Sequence, residues 1–352
     1  VTALMTPSEV TGGASGADGD FVLLVVAEVV RETAQARSFV FDIPEHLAAQ
    51  FRYESGQFVT VRPTVDGTSV PRCYSMSSAP AVDDRMRITV KQVPGGPVSN
   101  WLADHVAPGD TLAVSRPGGR FVLRAGTSPV VAFAGGSGIT PVLSIIKTVL
   151  ATTERSAHLL YANRDAESVI FAAELAELAQ RYPERLTVTH HLDADAGLLD
   201  GAQVRALAAP MPDAEFYVCG PEPFMAVVEA GLGTAGVAAA RVHLERFTLT
   251  PVTIEPAPPG ASPAELTVEL SGKTKTGTVR PGHTLLMAAR AAGVPAPSSC
   301  ELGTCGTCMA KLVDGQVELK NNEVLEQWEL DEGWILMCQA VPTTPTVRVA
   351  YE

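Results

Sequence analysis

The sequence is short of positive charge, of long apolar runs and of paired cysteine knuckles, and each shortage removes a class of function. Only 26 Lys and Arg stand against 39 Asp and Glu, a net charge of −13. That balance argues against a nucleic-acid backbone as partner, which needs a basic face, and suits a charged protein partner or plain solubility. No apolar run reaches the ~20 residues that span a bilayer; "FVLLVVAEVV" is short and contains Glu28. The opening "VTALMTPSEVTGGASGADGD" has no basic region, apolar run and cleavage site in the order of a signal peptide, and residues 1–19 read as disordered. A cytoplasmic protein without membrane contact is the expectation. No internal repeat recurs at a fixed period.

What is present is a chain of 352 residues, 46% apolar, enough for two to three cores. Residues 20–125 are short β-rich runs broken by Gly and Pro, such as "RSFVFDI", "GQFVTVRP" and "RMRITVKQV", which predict an antiparallel β-barrel. Residues 126–250 alternate apolar strands ("VVAFA", "AHLLYAN", "EFYVCG") with helical stretches such as "FAAELAELAQRY", the pattern of a parallel α/β sheet. A Pro-rich stretch over 251–264 reads as a linker. The last segment, 265–352, opens with "LTVEL", turns at "SGK" and adds a short helix "TLLMAARAAG", a compact α+β module.

Six cysteines in a reducing compartment point to metal or redox chemistry rather than disulfides. Cys300, Cys305 and Cys308 are separated by four and then two residues, with Cys338 distant in "WILMCQA". That is the plant-type ligand spacing for a 2Fe-2S cluster. Gly303 and Gly306 let the loop bend and turn amides toward the sulfurs. A zinc site is the competing reading, but it normally uses two CxxC knuckles and only one exists here. The segment resembles a plant-type ferredoxin with its β-grasp fold. A cluster of this kind stores one electron and does no chemistry alone, so an electron source should lie upstream.

Three upstream motifs supply it. "GGSGITP" follows an apolar strand and opens a helix, so its backbone can approach a pyrophosphate; a tight structural turn gives the same letters. It lacks the Lys and Ser/Thr of a Walker loop. "YVCGPEPFM" sets Cys219 at a strand end on the sheet rim, or else buries it as a small hydrophobe. In "RCYSMSS", alternation puts Arg72 and Tyr74 on one face and Ser75 opposite; an Arg suits phosphate and a Tyr ring suits a flat heterocycle, and a cross-strand structural pair would look the same.

In this order the motifs resemble the ferredoxin-NADP reductase superfamily over about residues 20–250, which implies a flavin barrel followed by a nicotinamide domain. By that resemblance Arg72 holds flavin phosphate, Tyr74 packs on the isoalloxazine and Ser75 bonds the ring nitrogen that accepts hydride. Cys73, Val90 and Lys91 join the cofactor-binding set, as do Gly95, Gly96, Pro97, Val98 and Ser99 of "GGPVS"; "RPGGRF" matches the family's Pro-x-Gly-x-Phe turn. Gly136, Gly138, Thr140 and Pro141 would line the nicotinamide nucleotide, with Asn163 and Arg164, and with Cys219, Gly220, Pro221, Phe224 and Met225 around its reactive carbon. Glu245 and Phe247 of "HLERF" match the acid and aromatic that close the flavin site, although a solvated carboxylate at Glu245 is as good a reading. Ser75, Cys219 and Glu245 are the implied catalytic residues.

The full order, flavin then nucleotide then cluster, resembles the reductase components of bacterial multicomponent oxygenases. "LYANRDAESVIF" and "NNEVLEQWELDEGWILMCQA" look most like the reductases of the 3-ketosteroid 9α-hydroxylase and phenylacetyl-CoA epoxidase type. That implies NADH, FAD and a 2Fe-2S cluster as cofactors and a terminal oxygenase, of Rieske type, as protein partner. A plant-type cluster near about −400 mV would feed a Rieske centre at roughly −150 to +300 mV downhill by about 250 mV. Glu323, Glu326, Glu329, Asp331 and Glu332 form an acidic run that could dock such a partner or simply be solvated. A redox sensor would need a signalling module, for which no segment is left over, and iron in the purified protein would exclude a zinc-stabilised binding protein.

Overall fold

The computed structural model describes residues 21–247, 262–298, 301–303, 306–322 and 324–351. The disordered N-terminus expected over 1–19, most of the expected linker (251–261), Cys300, Cys305 and Glu323 lie outside the described residues.

The first module is a six-stranded antiparallel sheet of β1 (Phe21–Arg31), β2 (Ala36–Asp42), β3 (Phe58–Val61), β6 (Arg72–Ser75), β7 (Arg87–Lys91) and β8 (Thr111–Ser115), in the order β6-β3-β8-β1-β2-β7. A small hairpin, β4 (Thr64–Val65) and β5 (Thr68–Ser69), leads into β6. A bridge between Met76, just after β6, and Ile88 of β7 joins the two ends, so the sheet curls on itself. Alternation fills it: Leu24 and Val26 of β1 are buried with Phe39, Phe41, Val59, Val61 and Ile88, while Leu23 and Val25 face out. Helix α1 (Pro97–His105) covers this core with Val98 and Leu102.

The second module is a five-stranded parallel sheet, β11-β10-β9-β12-β13, from β9 (Val130–Gly135), β10 (Ala157–Asn163), β11 (Leu186–Leu192), β12 (Glu215–Gly220) and β13 (Val242–Arg246). Its helices are α2 (Ile139–Thr152), α3 (Ala172–Arg181), α4 (Asp193–Ala196), α5 (Gly201–Ala208) and α6 (Glu222–Thr234). Every residue of the central strand β9 is buried, as a strand covered on both faces requires. Strand order reverses between β9 and β12, so a crevice opens where their C-terminal ends meet, the usual ligand position in such sheets.

The third module begins at Ala264, the last residue expected for the linker. It is a mixed sheet, β15-β14-β20-β16-β18, of β14 (Ala264–Leu270), β15 (Lys273–Val279), β16 (Met309–Asp314), β18 (Trp334–Leu336) and β20 (Thr346–Ala350). The expected "SGK" turn is a two-residue hairpin with Ser271 and Gly272 both at positive φ, the geometry that matches strand twist. Helix α7 (Leu285–Ala291) starts where Thr284 Oγ1 accepts the Met287 amide, and it packs on this sheet. A two-stranded ribbon, β17 (Val317–Leu319) with β19 (Ala340–Pro342), and helix α8 (Gln327–Asp331) complete it. Among the described residues no helix is long and apolar enough to cross a membrane.

Two seams join the modules. Between barrel and parallel sheet, Lys147 Nζ lies 2.7 Å from carboxylate oxygens of both Asp83 and Glu174. Arg87 meets Glu174 at 2.8 Å, and Ser144 donates to the Ser78 carbonyl at 2.7 Å. Between barrel and third module, Arg120 meets Glu329 at 2.8 Å and Leu302 packs against Phe58.

Candidate cofactor cavity

A cavity of about 310 Å³ lies where the three modules meet. Its barrel wall is β6 together with Thr89, Lys91 and the turn Val93–Ser99; Ser137 and Thr140 face it from the parallel sheet's glycine turn, and Glu245, Arg246 and Phe247 from the end of β13. Leu302, from the loop that carries the cysteines, closes one side.

The sequence builds this wall locally. In β6 Arg72, Cys73, Tyr74 and Ser75 all line the cavity. β6 is at the end of the sheet. Burial raises the Tyr74 phenol well above its ordinary value, so it stays protonated. Ser75 is 3% exposed and its Oγ has no partner. An unpaired buried hydroxyl costs about 1–3 kcal/mol, so a hydrogen-bonding ring atom in the cavity would repair it. Val93 N donates to Ser99 Oγ at 3.1 Å, tightening the "PGGPVS" turn, and Pro97 starts α1, whose N-terminus no side chain caps. Those free amides suit a phosphate. Val90 does not line the cavity. Alternation along β7 sends it into the barrel core while Thr89 and Lys91 face the cavity.

The glycine turn is shaped by two close approaches. Gly136 has φ 53 and its carbonyl accepts from Tyr161 Oη at 3.0 Å. A side chain at Gly138 would collide with the Cys219 carbonyl, so β12 and the turn can meet only through glycine. Thr140 Oγ1 donates to the Ser137 carbonyl at 3.0 Å, and the N-terminus of α2 has no side-chain cap. Pro221 and Phe224 pack on Gly135 across the crevice, whereas Pro141 and Met225 are buried in cores. Asn163 is buried at the end of β10; Arg164 next to it is exposed and donates to Gln35 of the barrel at 3.3 Å.

Cys219 is fully buried and does not line the cavity. Burial first, and the neighbouring Glu245 charge second, push its thiol well above its ordinary pKa. Glu245 sits opposite Cys219 in the β12/β13 register. Lys91 is pulled down by burial and by the nearby Arg164 charge.

In the third module Cys308 and Cys338 are buried, and Met337 N donates to the Cys308 carbonyl at 3.1 Å, so the two cysteines sit on adjoining strand ends. Tyr351 packs in the same core, and its hydroxyl is buried without a partner. Two buried thiols and an unpaired buried hydroxyl fit a thiolate-held cluster better than an apolar core. Glu329 departs from the expected docking run: it is 2% exposed and turned inward to Arg120. Phe58, Thr89, Val93, Pro94, Ser137, Arg246 and Leu302 line the cavity although sequence reasoning passed over them. Adjacency was the signal available: Ser137 lies inside "GGSGITP", Thr89 and Pro94 stand next to Val90 and Gly95, Arg246 lies in "HLERF" and Leu302 between Cys300 and Cys305.

Comparison with known proteins agrees with this layout. Residues 23–123 match the oxidoreductase FAD-binding domain, 133–230 the oxidoreductase NAD-binding domain and 268–343 the 2Fe-2S iron-sulfur cluster binding domain. The ferredoxin reductase component of 3-ketosteroid-9-alpha-monooxygenase from Rhodococcus rhodochrous is 41% identical over 99% of this chain and 100% of its own length. A component of the 1,2-phenylacetyl-CoA epoxidase from Escherichia coli (strain K12) is 33% identical over 94% of this chain and 98% of its own length. The solved phthalate dioxygenase reductase superposes with a TM-score of 0.61 at 27% identity, covering 94% of this chain and 98% of that one. Identity of this level along nearly the whole length leaves no module unaccounted for, and the chain belongs to the family of oxygenase reductase components that join FAD-binding, NAD-binding and 2Fe-2S domains.

Proposed function

We propose that this chain takes electrons from NADH and hands them one at a time to a terminal oxygenase of Rieske type that hydroxylates a 3-ketosteroid. The observation that carries the reading is the shared cavity: one wall is the Arg72–Ser75 strand, one is the glycine turn at Thr140, and one is Leu302 of the cysteine loop. When bound, flavin accepts a hydride from NADH and can release its electrons singly to a one-electron cluster.

The residues divide that work. Arg72 and the free amides at the start of α1 would hold flavin phosphates, Tyr74 would pack on the ring, and Ser75 Oγ would donate to a ring nitrogen. The uncapped N-terminus of α2, beyond Gly136 and Gly138, would take the pyrophosphate of NADH. Cys219 would act through its backbone, which seats Gly138, and through a thiol that stays protonated. Glu245 and Phe247 would close the cavity from β13 and its end. Cys300, Cys305, Cys308 and Cys338 would hold the cluster. Arg164 already engages Gln35 and is followed by Asp165, an arrangement that favours NADH over its 2′-phosphorylated form. The cytoplasm, where thiolates stay reduced, is the proposed compartment.

The test combines this protein with NADH, a ketosteroid oxygenase component and androstenedione in air. Hydroxylated steroid in proportion to NADH consumed supports the reading. No product, alongside rapid cytochrome c reduction, would sink the steroid partner and favour the phenylacetyl-CoA epoxidase type instead.

A further inference from the structure

Leu302 stands between Cys300 and Cys305 in sequence and packs against Phe58 in the cavity wall. Whatever holds the third module on the barrel therefore decides how closely the cysteine loop approaches the cavity. The polar contact there is built from two residues distant in sequence. Arg120 Nη1 donates to both carboxylate oxygens of Glu329, at 2.8 and 3.0 Å. Glu329 is 2% exposed, and its Oε2 also accepts the Glu326 amide at 2.9 Å, so the carboxylate is fixed by its own helix before it meets the barrel. Arg120 follows the Pro117–Gly119 turn, where Gly118 faces Thr307, and its stem runs past Gly306. Both Gly306 and Thr307 lie between Cys305 and Cys308.

The two partners are unequal. Arg120 keeps 45% of its side chain in water, so its charge is solvated docked or undocked, while Glu329 is buried and depends on that cation. A buried carboxylate stripped of its cation is strongly disfavoured. The contact therefore works as a latch: the module is held where Glu329 finds Arg120.

We propose that Arg120 and Glu329 are a positioning pair that keeps the cysteine loop against the flavin cavity, setting the rate of electron passage from flavin to cluster and leaving hydride entry from NADH alone. This rests on reading the cavity as the flavin site.

The experiment uses full-length protein carrying flavin and cluster, as wild type, Arg120→Ala, Arg120→Lys and Glu329→Gln. Stopped-flow mixing with NADH follows flavin bleaching and cluster reduction separately, and hydrogen exchange follows the amides of 306–309 and 325–333. In Arg120→Ala, flavin bleaching keeps the wild-type rate while cluster reduction slows by about tenfold or more, equivalent to about 1.4 kcal/mol. Exchange in both segments rises, and the paramagnetic signal of the chemically reduced cluster is unchanged. Arg120→Lys and Glu329→Gln fall between. Cluster reduction at the wild-type rate in Arg120→Ala, or equal slowing of both steps, overturns the proposal. Wild-type protein whose flavin bleaches without its cluster ever being reduced overturns the cavity reading itself, before any variant is compared.

Discussion

The barrel makes two seams, and they are built differently. Toward the parallel sheet it uses a network: Lys147, 5% exposed, is held by Asp83 and Glu174, Arg87 shares Glu174, and Ser144 and Tyr217 add hydrogen bonds to the barrel's Ser78 and Arg124. Toward the cysteine module, the seam includes an ion pair with a half-exposed arginine, a leucine on Phe58 and the approach of Thr307 to Gly118. A network of partly buried charges around a buried lysine fixes geometry, because Lys147 ties Asp83 and Glu174 together and Arg87 shares Glu174. A single pair with one solvated partner holds a position but can yield. Hydride transfer demands reacting atoms held within a narrow range, whereas passing an electron tolerates more play, and the two seams follow that division.

The sharpest way to separate the seams is to remove the last module's chemistry while keeping the first two. Cys308→Ala is expected to abolish cluster assembly and cytochrome c reduction outright while NADH still bleaches the flavin; loss of both would show that the modules do not act separately. Next in size, Lys147→Met leaves Asp83 without its cation and Glu174 with Arg87 alone, and is expected to destabilise the protein by about 2 kcal/mol in denaturant unfolding, with flavin lost early in the transition. A shift under about 1 kcal/mol would reduce that network to ordinary surface pairing. Tyr351→Phe removes the unpartnered hydroxyl beside Cys308 and Cys338. That hydroxyl would donate to a sulfur of the bound cluster, and losing a bond of about 1 kcal/mol lowers the cluster's midpoint by about 40 mV, taking about 59 mV per decade, with flavin potentials unmoved. Last, and negligible below about pH 8, is a pH effect on the rigid side. The folded Cys219 thiol titrates above its unfolded value, so its share of stability is whole below the unfolded thiol pKa of about 8.5 and falls above it by at most about 1.4 kcal/mol per pH unit. Cys219→Ala should flatten that slope, and slow alkylation of Cys219 at pH 8 in the native protein should accompany it.

Much of this was legible because it is local. The barrel's broken β runs, the alternation of strand and helix, the "SGK" hairpin and the start of α7 follow from periods and turn residues within a few positions. "RCYS" and "GGPVS" reach the same cavity as expected, since each is a strand or turn whose neighbours fix its direction. What was not legible depends on partners far along the chain. Glu329 reads as one more acid in a solvated run, and only Arg120, distant in sequence, turns it inward. Leu302 is an ordinary apolar letter between two cysteines until the module docks and sets it on Phe58. Cys219 sits at a strand end as its motif implies, yet its side chain joins the core with Ala134 and Ile139, which only the packed sheet and helix decide.

The most direct test of electron passage from NADH through flavin to cluster is an anaerobic single-turnover reaction of the loaded protein with one equivalent of NADH, following flavin absorbance and the cluster's paramagnetic signal together. Flavin should bleach first, and the cluster signal should then grow as flavin colour partly returns. A cluster reduced before or without the flavin, or one that stays oxidised beside fully reduced flavin, would contradict that order.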